Sequence, residues 1–204
     1  RHVCRRSRGP ECTQSGILMK KLFLLAVAAA GLTVLVQSCN DSDDDTNIWT
    51  KYADWRTANI NFITEQEARV DEDGEPFYSR VYAPWAPNEY ILIHWFNDRE
   101  ETAGNLQPLY TSTVTTSYNG RLYNDVMFDS SYSAEGGQAN FGVNQVIGGW
   151  QIALTHMRVG DTVQIVVPYQ SAYGSSTTNT AIPPYSTLQF NLKLRDIPAY
   201  EVKP

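Results

Sequence analysis

The sequence predicts an α+β fold, a twisted antiparallel β-sheet half-wrapped around one short α-helix, with a helical extension ahead of it. Three observations predict it. Runs rich in β-branched and aromatic residues recur between residues 90 and 195, separated by loop residues. One short segment among them, Trp150–Met157, places Trp150, Ala153, Leu154 and Met157 on one helical face. Well before the first of these runs, residues 47–70 carry apolar side chains at three- and four-residue steps or their multiples.

The chain begins with a segment that fits no fold. Residues 1–18 contain Arg1, Arg5, Arg6 and Arg8, no apolar periodicity and no initiating Met, so they read as a non-native upstream segment. Cys4 and Cys12 fall inside it and are poor evidence for a disulfide. Met19 opens a signal-like segment, 19–38, with Lys20 and Lys21 before an apolar run from Leu22 to Val36. That run is shorter than the roughly twenty residues of a membrane span. Val36-Gln37-Ser38-Cys39 puts small residues before a cysteine and resembles a bacterial lipobox. The expectation is cleavage before Cys39, lipidation there, and a membrane anchor; the alternative is an ordinary secretory signal with an incidental Cys. Residues 39–46 form a tether with Asp41, Asp43, Asp44 and Asp45. Such a run is a solvated linker, or it resembles the acidic export signal of Bacteroidetes-type lipoproteins. With the lipobox resemblance, the expectation is a cell-envelope protein, an outer-membrane lipoprotein that is periplasmic or surface-exposed.

From Asn47 the pattern turns helical. Ile48, Tyr52, Trp55, Phe62 and Ile63 recur among Lys51, Asp54, Arg56 and Glu65, with Thr46 or Asn47 as the cap. Asp71-Glu72-Asp73-Gly74 ends the helix in a turn. Residues 75–89 show no clear pattern and are grouped with the extension, 47–89. Tyr90–Phe96 is a strand by composition and opens the C-terminal domain, 90–204; Asn97–Pro108 is a polar loop. Thr111–Tyr118 and Thr162–Val167 are further strands. In Thr187–Arg195, Leu188, Phe190, Leu192 and Leu194 alternate with polar residues, as in a strand with one wet face.

Charge excludes one class of function. The full chain carries −6, and residues 1–38 hold a net +5, so the part from Cys39 onward carries −11. An acidic chain without a basic stripe is a poor nucleic-acid binder, because phosphate neutralisation supplies most of that affinity. The 166 residues from Cys39 on hold no further Cys, so packing must stabilise them, and they suffice for one core.

Three short patterns then stand in order: Val126-Met127-Phe128-Asp129-Ser130-Ser131, Val146-Ile147-Gly148-Gly149-Trp150, and Ala172-Tyr173-Gly174 followed by Ile182-Pro183-Pro184. A Thr187-Leu188-Gln189-Phe190 strand closes the series. Together they resemble the FKBP-type peptidyl-prolyl isomerases, over roughly residues 90–197. That resemblance implies the same sheet-around-helix fold, proline-containing polypeptide clients in the envelope, and no cofactor. It also implies a role for each matching residue. Tyr118 takes the aromatic strand position, in Ser-Tyr-Asn-Gly. Phe128 and Asp129 match the Phe-Asp pair, with Asp129 supplying a negative field and an acceptor for the Tyr118 hydroxyl. Phe141 matches a wall aromatic, and Val146 and Ile147 match the rim, where the Ile147 N–H would hold a substrate carbonyl. Trp150 matches the floor under the proline ring, Tyr173 the hydroxyl donor, Ile182 the flap aliphatic and Phe190 the far wall.

Isomerising an X–Pro bond needs little conventional chemistry. Its barrier of about 18–20 kcal/mol comes from amide resonance, which the twisted transition state loses. A catalyst can remove the bond from water, hold the ring in an apolar slot and place dipoles where the rotated carbonyl points. An aromatic pocket with few polar groups meets that need. Three departures bear on activity. The family often pairs its Asp with an Arg shortly after the motif, and Tyr132-Ser133-Ala134-Glu135 has none. Ala139 stands where many members carry an aromatic, which predicts a wider pocket, and Ser175–Ala181 is polar and small, which predicts weak selectivity around the proline. A catalytically weak client-binding or chaperone module is therefore the alternative. Helical extensions in bacterial members sometimes dimerise or hold clients, so residues 47–70 suit a homodimer, and the exposed-looking Trp49, Trp55 and Trp85 suit a homodimer, client contact, or packing on the domain's own sheet. His94 and His156 lack ligand-spaced partners, so no metal site is expected, and no nucleophile elbow, phosphate loop or dinucleotide fingerprint is present.

Overall fold

The computed structural model describes residues 47–201, so the upstream segment, signal, Cys39 and tether lie outside the described residues. Asn47 starts the first helix: its side-chain oxygen accepts from the N–H groups of Trp49 and Thr50, satisfying two donors that a helix start leaves unpaired. The helical region is split. Helix α1 (Ile48–Lys51) ends at Tyr52, whose φ of −105° and ψ of 23° leave helical geometry, and α2 (Ala53–Glu67) follows. Beyond it, Asp71 Oδ1 accepts from Asp73 and Glu75 N–H at 3.0 Å each, which builds the expected turn.

The sheet has seven strands: β1 (Ser79–Ala83), β2 (Ala86–Trp95), β3 (Thr113–Leu122), β4 (Met127–Ser130), β5 (Ala139–Gly142), β6 (Thr162–Val167) and β7 (Leu188–Ala199). Their order is β1-β2-β6-β7-β3-β4, with β5 also on β3, and every pairing is antiparallel. β1 corrects the sequence reading, which left residues 79–83 in the helical extension. They pair with β2 from Ser79↔Ile93 onward, so the sheet begins ahead of residue 90. Ser79-Arg80-Val81-Tyr82-Ala83 does not alternate apolar with polar residues and is followed at once by Pro84, which is why the sequence hides it.

Helix α3 (Gly148–His156) fills the inner face of the sheet. Its Ile152, Ala153 and Leu154 are buried with Ile91, Ile93, Val163, Ile165, Leu192 and Leu194 in the main core. Gly149 permits the close approach: a Cβ there would lie 2.3 Å from Val167 Cγ1. On the opposite face, Ile63 of α2 packs with Tyr78, Leu92 and Val166 in a second cluster. β2 therefore reads as an unbroken Ile91-Leu92-Ile93 run because both of its faces are covered. Of the three roles left open for the extension, packing on the domain's own sheet is the one this geometry contains.

Candidate active site

Trp150 lies in the first turn of α3, at the mouth of the half-wrapped sheet, and is 4% exposed. Three rings meet it edge-on. Tyr118 from β3 stands 4.9 Å away at 87°, Phe190 from β7 5.3 Å away at 84°, and Phe141 from β5 5.5 Å away at 79°. Edge-to-face pairs of this kind stabilise by about 0.5–1.5 kcal/mol each beyond their burial. Phe128 from β4 extends the wall by packing on Phe190 at 5.6 Å. Gly120 makes room for that pair. A Cβ at this position would lie 2.7 Å from both Phe128 Cζ and Phe190 Cε1.

These rings enclose a cavity of about 250 Å³ with an apolar floor and few polar groups. Asp129 is at its lip, where the β3–β4 pairing sets it opposite Gly120. The Tyr118 hydroxyl donates to Asp129 Oδ2 at 2.8 Å, and the Ser130 N–H donates to Oδ1 at 2.8 Å. Among the described residues no Lys or Arg lies within ion-pair distance of this carboxylate. Burial pushes the Tyr118 phenol well above its ordinary range, and the hydrogen bond to Asp129 and its negative field raise it further. Tyr173 also titrates high, first through burial and then through the Asp129 field. Both hydroxyls therefore stay protonated donors at neutral pH. The Ile147 N–H, just ahead of α3, is taken by no acceptor among the described residues, which leaves it free for a carbonyl in the cavity.

Of the ten pocket residues expected from the sequence, the structure gathers nine: Tyr118, Phe128, Asp129, Phe141, Val146, Ile147, Trp150, Tyr173 and Phe190. Ile182 is the exception. It is 3% exposed within the main core and does not line the cavity. Asn179 Oδ1 accepts from the N–H groups of Ala181 and Ile182, a turn directly ahead of the buried Ile182 side chain. Two contributors were not expected. Gln145 lines the rim, and its place directly before Val146-Ile147 was the available signal. Ser131 is the second: its hydroxyl accepts the Tyr118 N–H at 2.9 Å and sits 3.0 Å from the Gly137 carbonyl. The second Ser of Phe-Asp-Ser-Ser thus locks the strand that presents Tyr118.

The family profile described as FKBP-type peptidyl-prolyl cis-trans isomerase matches residues 104–195. The chain is 38% identical over 92 residues to FK506-binding protein 1 of Eremothecium gossypii, spanning 45% of this chain and 81% of that protein. This chain belongs to the FKBP-type peptidyl-prolyl cis-trans isomerase family. It is also 43% identical over 90 residues to the FKBP-type 22 kDa peptidyl-prolyl cis-trans isomerase of Escherichia coli strain K12, covering 44% of this chain and 43% of that one. The match thus spans less than half the length of that FKBP-type relative. A solved peptidyl-prolyl cis-trans isomerase from Pseudomonas syringae superposes with a TM-score of 0.56 at 24% identity, over 72% of this chain and 95% of that one, and shares the FKBP-like fold.

Proposed function

We propose that the protein is a peptidyl-prolyl cis-trans isomerase that accelerates slow X–Pro steps in proteins folding in the cell envelope. The observation that carries this is the cavity over Trp150, walled by aromatic rings, with the Tyr118–Asp129 pair, Tyr173 and Gln145 among its lining. A pyrrolidine ring fits against Trp150, Phe141 and Phe190. The Ile147 N–H and the Tyr173 hydroxyl hold carbonyl oxygens of the client, and Asp129 stabilises the twisted amide by its field. No proton changes hands, because rotation about the bond breaks no covalent bond; the gain comes from positioning and from removing water that favours the planar amide.

The signal-like pattern of Met19–Cys39 supports an envelope location with a lipid anchor at Cys39. Clients are proline-containing polypeptides. A homodimer through 47–70 would have to use outward residues such as Ile60, because Ile63 and Trp55 face the protein's own domain. One observation favours the second reading, a weakly catalytic client-binding module: among the described residues Asp129 has no cation beside it, and its carboxylate is held there by Tyr118 and Ser130.

A protease-coupled isomerisation assay on an Ala-Phe-Pro-Phe peptide, with Tyr173→Phe and Asp129→Ala alongside, tests the proposal. Acceleration that falls in both variants supports it. A folded protein that leaves the uncatalysed rate unchanged moves the function to client binding.

A further inference from the structure

We infer that helices α1 and α2 position the loop that carries Tyr173, and that Asn59 and Trp55 act on the reaction through that loop. The inference rests on the isomerase reading above. Three consecutive residues at the loop's end are each held by a different residue of the N-terminal helices. Trp49 meets the Tyr185 ring edge-on at 5.5 Å, and the Arg56 guanidinium stacks over Trp49 at 3.4 Å. Trp55 Nε1 donates to Ser186 Oγ at 3.1 Å, and that hydroxyl donates to the Pro183 carbonyl at 2.6 Å. The Thr187 N–H donates to Asn59 Oδ1 at 2.7 Å, and the Thr187 hydroxyl donates to the Asn59 carbonyl at 3.3 Å. Asn59 is 0% exposed, unusual for an amide on a helix that faces a sheet. Its own Nδ2 donates to the Trp55 carbonyl at 2.7 Å, so both ends of the amide are used.

The hold reaches Tyr173 through the backbone. The Tyr185 N–H donates to the Gly174 carbonyl at 2.8 Å, and the Gly174 N–H donates to the Tyr169 carbonyl at 2.9 Å. Gly174 follows Tyr173 directly in the chain, and the Tyr169 ring packs edge-on against Tyr185 at 5.4 Å. Tyr185 itself has a φ of 63°, a left-handed conformation that is costly for a bulky residue. Such strain persists where the surroundings over-determine it, and Trp49, Trp55 and Asn59 supply those surroundings from outside the loop. Tyr173 is 44% exposed, and its hydroxyl has no protein hydrogen bond among the described residues. Its aim at the cavity therefore depends on how firmly the loop is held.

The test combines amide hydrogen exchange across 185–188 with turnover of the Ala-Phe-Pro-Phe peptide in the full chain. Asn59→Ala should speed exchange at Thr187 and lower kcat/KM by about tenfold, within the up to hundredfold loss that a misplacement of about 1 Å produces. Added to Tyr173→Phe, the same change should cost little more, because both act through one hydroxyl. Trp55→Phe guards against misfolding: it keeps an aromatic ring where Trp55 packs on Tyr123 at 5.0 Å, and it removes the donor to Ser186 along with one ring of the indole. It should show a smaller loss in the same direction. Unchanged exchange, or equal losses with and without the Tyr173 hydroxyl, would overturn the inference. No turnover by the intact protein overturns the isomerase reading and the catalytic half of this inference with it, while the exchange rates still separate a held loop from a free one.

Discussion

Gly120→Ala adds one methyl group beneath the pocket wall, and its effect can be worked from the contacts. The new Cβ would lie 2.7 Å from Phe128 Cζ and 2.7 Å from Phe190 Cε1. Ordinary carbon contacts begin near 3.5 Å, so each ring must retreat by roughly 0.8 Å. Phe128 is half-buried and can swing toward solvent. Phe190 is buried against Trp150 at 5.3 Å and cannot. The backbone offers no objection, since Gly120 lies outside the left-handed region, and Ala regains about 0.5–1 kcal/mol of chain entropy. Overpacking a full core costs about 1–3 kcal/mol, so the net loss should be about 1–2 kcal/mol. Turnover should fall more than stability, because the displaced rings are the ones that grip the proline. Urea unfolding read by tryptophan fluorescence gives the first quantity and the coupled assay gives the second. A variant as stable and as active as the parent would show that the Phe128–Phe190 wall is not set by this glycine.

Three further outcomes follow from the same geometry. Gly149→Ala should destabilise by about 3 kcal/mol or more, because its Cβ would meet Val167 Cγ1 at 2.3 Å between a buried helix and a central strand; thermal unfolding checks it. Tyr118→Phe removes the 2.8 Å bond to Asp129 and should cost about 1 kcal/mol in urea unfolding, with a fall in turnover as the carboxylate loses its anchor. The pH profile is the third. Both phenols titrate above their ordinary range when folded, whereas in the unfolded chain they ionise near pH 10. Their stabilising effect is complete below about pH 10 and is lost only as pH rises through the higher folded values. Turnover and stability should hold level on the alkaline side from pH 7 to about pH 9.5. An alkaline fall centred near pH 8 would contradict the role given to neutral hydroxyls.

The pocket was legible because its residues lie in short contiguous patterns, and local strand and helix geometry carries them to one place. Phe128-Asp129 and Val146-Ile147-Trp150 needed only the β3–β4 pairing and the start of α3 to meet. Ile182 lies within an equally clear pattern, but it is buried directly after an Asn179 turn, and a turn's direction is not written in residue spacing. The N-terminal helices were the least legible part. Asn59 lies one turn from both Trp55 and Ile63, but spacing does not say what its amide meets, and its partner Thr187 is 128 residues away. Trp55 reads as an apolar stripe residue, with no sign that its indole N–H seeks Ser186. Contacts at such separation belong to the tertiary fold, where burial of one amide is decided by what another element offers.

Catalysis is separated from mere binding most directly by magnetisation-transfer NMR on a proline peptide at equilibrium, with no coupled protease. The uncatalysed exchange takes tens of seconds. The account predicts that a small molar fraction of the protein brings cis and trans signals into exchange within about a second, and that Asp129→Ala slows this without abolishing peptide binding. A peptide that binds over Trp150 while its cis and trans forms keep their uncatalysed exchange rate would contradict the account and leave a binding module in its place.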